Sequence, residues 1–223
     1  MNWAVGLAVG LLAAGWGYRT LRARKQAAFL ENYTFHPALK KRVGERYPHL
    51  DGDDIELVFD GLRQYFGLSR KARRRMLAMP SQVVDVAWHE FILFTRAYQD
   101  FSRRALGRFL HHTPSEAMRS PTSAHQGIKR AWRLACADEG IDPRQPQRLP
   151  LLFAIDERLH IADGFHYVPD CSATPKRGSG DAPVYCASHI GCASGCGGDS
   201  GGADGGASDG GGSSCGGGGC GGD

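Results

Sequence analysis

Apolar residues recur at helical spacing along most of the chain up to about residue 170, and this pattern predicts a series of amphipathic helices. In "DGDDIELVFDGLRQYFGLS", Ile55, Val58, Phe59, Leu62, Tyr65 and Phe66 fall on one face, and Asp53 or Asp54 can cap the first turn. Before it, "QAAFLENYTFHPALKKRVGERYPHL" reads as a helix, a break at His36-Pro37, and a short helix with Leu39 and Val43 on one side. Pro80 marks the next boundary, and Ser81 caps a long helix running to Gly107. Apolar groups from Val83 to Tyr98 surround that helix almost completely, which predicts a central, buried element. Two further helices follow: one carries Ile128, Trp132 and Cys136 at i, i+4, i+8 and stops at Gly140, and the other carries Leu151, Leu152, Ile155 and Leu159 before an Asp163-Gly164 turn. No alternating strand set is evident, so residues 26–170 are expected to form an all-α domain.

Both ends depart from this pattern. Trp3 to Tyr18 is an uncharged run followed by Arg19, Arg22, Arg24 and Lys25, about the minimum length for a membrane helix. Trp3, Trp16 and Tyr18 stand near its ends, where aromatic rings favour the interface. Residues 1–25 are therefore expected to be a single transmembrane anchor, N-terminus out, with the bulk of the chain in the cytoplasm. A cleaved signal, favoured by Gly15 after Ala13, and a buried soluble helix are the alternatives. Residues 171–223 are rich in Gly and Cys and hold few apolar groups to offset a backbone ordering cost of roughly 1–2 kcal/mol per residue. A disordered, low-complexity tail is the expectation there.

Charge is polarised along the chain. The net charge is +4, but Arg19 to Arg75 holds 14 Lys/Arg against 7 Asp/Glu, while Gly178 to Asp223 holds five Asp and no Lys or Arg. Arg70, Lys71, Arg73, Arg74 and Arg75 read either as a solvated helix face or as a contact for anionic lipid, with nucleic acid the weaker target. A cytoplasmic setting makes the seven cysteines free thiols or metal ligands rather than disulfides.

Candidate chemistry centres on "VDVAWHEFILFTRAYQDFSRRALGRFLHHTP". Asp85 and His89, four residues apart, share a helix face. His111 and His112 follow the Gly107 bend, so the four residues Asp85, His89, His111 and His112 could hold a divalent metal such as zinc. The structural alternative has Asp85 orienting His89 and pairing with Arg96 or another cation. A zinc-protease signature is excluded, because "HEFIL" has Leu93 where the second histidine is required. Cys136 sits at an apolar helical position and reads as an inert packed thiol. A second candidate metal set is Cys186, His189, Cys192 and Cys196, at a spacing that matches no standard finger.

"VDVAWHEFILFTRAYQDF" and "GRFLHHTP", supported by "LPLLFAIDERLHIADGF" and the terminal Gly-rich run, resemble the glycine-rich domain-containing protein-like family over about residues 50–170. Asp85, Trp88, His89 and Tyr98 match that family's pattern; Phe91 stands where its plant members often have a further histidine. The resemblance implies a short membrane-anchored form and no particular reaction. The combined expectation is a membrane-anchored helical binding or scaffold protein with protein partners, the tail reaching for partners or metal. The alternative is a metal-dependent enzyme using Asp85, His89, His111 and His112.

Overall fold

Pro37 follows a histidine whose ring nitrogen accepts the Ala38 N–H, and this sets the first internal helix start of the chain. The computed structural model describes residues 2–112, 121–169, 184–186 and 190, all within one compact unit, Met1–Ala193. In chain order the described elements are α1 (Asn2–Glu31), α2 (Pro37–Arg46), α3 (Gly52–Ala72), α4 (Gln82–Leu93), α5 (Thr95–Leu106), α6 (Pro121–Glu139), α7 (Leu151–Arg158), β1 (His166–Val168) and β2 (Val184–Cys186). The fold is mostly helical, as the periodicity predicts. The all-α expectation is corrected by one parallel strand pair, in register at His166 with Val184, Tyr167 with Tyr185 and Val168 with Cys186. β2 lies in the stretch expected to be a tail. Ile190, in the same stretch, is buried in the core. The rest of 171–223 lies outside the described residues.

Helix α3 is the axis of the domain, with α1, α2, α4, α5, α6 and α7 all packed on it. Its cap is Asp51, which accepts from Asp54 N–H while the Asp54 carboxylate accepts from Asp51 N–H, a reciprocal capping box. Asp53 and Asp54, expected as caps, instead occupy the first turn, where carboxylates favour the positive helix end. The predicted face is the buried one: Val58, Phe59, Leu62 and Phe66 are essentially inaccessible. Phe35, Phe59, Phe66, Phe91 and Phe101 form a continuous ring cluster, with Phe66 to Phe101 centroids 4.8 Å apart and Phe35 to Phe59 4.9 Å.

The long helix expected from Ser81 to Gly107 is two helices. Phe94 has φ −80° and ψ 58°, outside the helical region, so its N–H bonds Phe91 O and its carbonyl starts the next helix by accepting from Tyr98 N–H. No Gly or Pro marks the break. It is held by α2: the Arg42 guanidinium lies 5.3 Å from the Phe94 ring and bonds Glu90 at 3.0 Å. Leu93 and Ala97, expected inside, turn outward, while Phe91, Tyr98 and Phe101 stay in the core.

The anchor expectation is corrected as well. Among the described residues no helix is long and apolar enough to cross a membrane. The uncharged run spans only about 24 Å at 1.5 Å per residue against a core of about 30 Å, and half of it is Gly and Ala. The second half of α1 belongs to the domain: Phe29 stacks on Tyr33 and Phe101, and Arg63 donates to the Leu30 and Tyr33 carbonyls.

Cys136 is fully buried on α6, as its apolar position predicts, and burial pushes its thiol up to about 12 from an ordinary value near 9. The unfolded chain loses this proton first. Stability linked to Cys136 is therefore complete below about pH 9 and is lost as pH rises through about 12. Urea unfolding midpoints are expected to fall steadily across that window and to fall less steeply in Cys136→Ala. Parallel slopes in the two proteins would count against this assignment.

Candidate metal centre

Ser81 caps α4 by accepting the Val84 N–H at 3.2 Å, as the sequence predicts, and this starts the helix that carries Asp85 and His89. One turn apart, the two side chains meet: His89 Nδ1 lies 3.2 Å from Asp85 Oδ2 and 2.9 Å from the Asp85 carbonyl oxygen. His112 completes the group, with Nε2 2.9 Å from Asp85 Oδ1. The two imidazole centroids are 4.0 Å apart. One ligand atom from each of Asp85, His89 and His112 falls within 4.8 Å of the others. In a tetrahedral site with arms of about 2.0–2.1 Å, ligand atoms stand about 3.3 Å apart, so binding an ion would draw the widest pair together by as much as about 1.5 Å.

His112 reaches α4 through a chain of contacts that begins at Gly107. That residue closes α5 in the left-handed conformation, φ 71°, and a side chain there would meet Arg22 and Gln26 at 2.7 Å. The chain then turns back, and the Arg108 guanidinium bonds the Arg73 carbonyl. Tyr98 fixes the return: its hydroxyl accepts from Trp88 Nε1 at 3.0 Å and donates to Leu110 O at 2.5 Å. Burial raises the Tyr98 hydroxyl's pKa, which keeps the proton needed for that donation in place. Trp88 supplies the floor, its ring 4.5 Å from His112 and 5.0 Å from Tyr65. Tyr65 is likewise raised, first by burial and then by the nearby Asp85 charge. His112 is 11% exposed, Asp85 25% and His89 49%, so the cluster is buried on one side and open on the other.

Of the four predicted ligands, three converge and one does not. His111 is exposed and packs on the Phe109 ring, 4.8 Å away. His112 instead packs on Trp88 and reaches Asp85, so the two neighbouring imidazoles point apart. Arg96 is exposed, and Asp85 has two histidines as partners instead. In the second predicted set, His189, Cys192 and Cys196 lie outside the described residues, and Cys186 is disulfide-bonded. An oxidised sulfur offers no thiolate to zinc.

The basic cluster does not form one face. Arg70 reaches the Ala23 carbonyl on α1, Lys71 pairs with Asp138 on α6, and Arg73 to Arg75 are exposed beyond the end of α3.

Sequence reasoning passed over Asp156. Almost inaccessible at the end of α7, it accepts from Ser81 Oγ and Gln82 N–H at 2.7 Å, Phe165 N–H at 2.9 Å and Val83 N–H at 3.2 Å. It therefore caps α4 from outside and ties three chain segments together. Gly164 permits this, because a side chain there would sit 2.7 Å from the Asp156 Cβ. An Asp among apolar helical positions was the available signal.

The UCP032817-like family matches residues 25–190, about three quarters of the chain. The chain belongs to that family. This corrects the resemblance to the glycine-rich domain-containing proteins, which rested on short stretches around Trp88 and on the composition of the terminal run. The UCP032817-like match takes in α2 through α7, both strands and Ile190, along with all three converging residues. No curated protein and no solved structure matches the chain.

Proposed function

We propose that this member of the UCP032817-like family is a metal-binding helical domain that holds a divalent transition ion at Asp85, His89 and His112. The observation that carries the reading is the convergence of one carboxylate and two imidazoles from two separate chain segments within 4.8 Å. Two histidines and one carboxylate suit zinc or ferrous iron, and three protein ligands leave a coordination position for water or another group. The half-exposed side at His89 faces that position outward. Asp85 between the two imidazoles is also a self-sufficient arrangement, with His112 Nε2 bonded to the Asp85 carboxylate and His89 Nδ1 bonded to the Asp85 carbonyl and 3.2 Å from the carboxylate. A metal would replace those contacts. The cavity between α1 and α5 shares none of these residues.

Titration of the purified full chain with cobalt(II), followed by zinc displacement, tests this. One equivalent is expected, with visible bands of a low-coordinate nitrogen and oxygen site, and His89→Ala combined with His112→Ala is expected to abolish them without unfolding the domain. Unchanged stoichiometry in that double variant would sink the assignment.

A further inference from the structure

Between α1 and α5 lies a cavity of about 310 Å³ lined by Arg22, Lys25, Gln26, Phe29, Arg103 and Arg104. Four cations from two helices surround it. Arg104 reaches Asp100 at 3.4 Å and covers the Phe29 ring at 4.3 Å; among the described residues no carboxylate pairs with Arg22, Lys25 or Arg103. Three cations without a carboxylate partner, gathered beside the paired Arg104, raise the local concentration of anions.

A second feature adjoins it on α1. Leu11 and Leu12 are each 74% exposed, Trp16 72% and Tyr18 66%, and nothing lies within 4 Å of where side chains at Gly6, Gly10, Gly15 or Gly17 would begin. This apolar helix end passes into Arg19, Arg22, Arg24 and Lys25 without a break in the helix. An apolar surface, then Trp and Tyr, then clustered Arg and Lys is the order of chemistry met on passing from acyl chains through the interface to anionic headgroups.

We infer that the exposed end of α1 and the basic cavity formed with α5 together dock the protein on an anionic phospholipid bilayer, with a headgroup phosphate held among Arg22, Lys25, Arg103 and Arg104. The apolar end contacts the acyl region without needing to cross it. The site is independent of Asp85, His89 and His112.

Flotation of the full chain with vesicles of phosphatidylcholine alone, and of phosphatidylcholine and phosphatidylglycerol in equal parts, tests the inference. Binding at least roughly tenfold stronger to the anionic vesicles is expected, weakening as salt is raised. Lys25→Glu with Arg103→Glu, both at exposed positions, is expected to remove roughly tenfold or more of that binding, and Leu11→Asp with Leu12→Asp a comparable share, with circular dichroism and the unfolding midpoint unchanged. Equal binding to both vesicle types overturns the proposal, as does either double variant binding like the parent. Full competition by millimolar inorganic phosphate would make the cavity a free-anion site instead. A stable dimer that ignores vesicles would assign the apolar helix end to a second copy of the chain.

Discussion

Asp156→Ala is expected to lower the unfolding free energy by about 3–5 kcal/mol, a large part of the roughly 5–15 kcal/mol typical of a domain. The carboxylate accepts four hydrogen bonds, from Ser81 Oγ and from the N–H groups of Gln82, Val83 and Phe165. Removing it leaves those donors without their acceptor, and each buried donor left unmade costs about 1–3 kcal/mol. It also removes a negative charge from the N-terminus of α4, where the helix dipole favours one. Ser81→Ala deletes a single hydroxyl and is expected to cost only about 1–2 kcal/mol. Urea denaturation with an unchanged slope provides the measurement, and equal effects from the two variants would show that Asp156 is not the keystone of this corner.

Tyr98→Phe is expected to weaken zinc binding at the proposed Asp85, His89 and His112 site by about 10–100-fold although its hydroxyl touches no ligand atom. That hydroxyl accepts from Trp88 Nε1 and donates to Leu110 O, so it is the pin between α4 and the segment that delivers His112. Phenylalanine keeps the ring packing on Phe91 but releases the Leu110 carbonyl and leaves the indole N–H without a partner. Stability is expected to fall by about 1–3 kcal/mol in parallel. Competition between the protein and a zinc chelator reads the affinity directly. A native, folded Tyr98→Phe protein with unaltered zinc affinity would mean that His112 is positioned by Trp88 and Gly107 alone.

Local signals carried the helices because a helix is specified by neighbours three and four residues away. The buried faces of α3 and α6, the Ser81 cap, the His36-Pro37 break and the Gly107 stop all follow from residues close in sequence. The break at Phe94 had no such signal, since the Arg42 side chain that holds its ring comes from α2. The strand pair escaped notice for a related reason: three-residue strands have no period to detect, and their pairing joins Tyr167 to Tyr185 across an intervening stretch. The run from Trp3 to Tyr18 looked like a span because charge was absent, whereas its length and its Gly and Ala content fall short of one.

At the candidate site the division is equally physical. That Asp85 and His89 share a face follows from their spacing, because i, i+4 residues on any helix do. Tertiary structure alone decided which neighbouring histidine joins them. His111 and His112 are indistinguishable as letters, but the Gly107 turn and the Tyr98 hydrogen bond to Leu110 set the direction of the returning strand of chain, turning His112 inward and His111 out. The burial and four hydrogen bonds of Asp156, and the meeting of Arg22 and Lys25 with Arg103 and Arg104, were likewise decided by packing between residues distant in sequence.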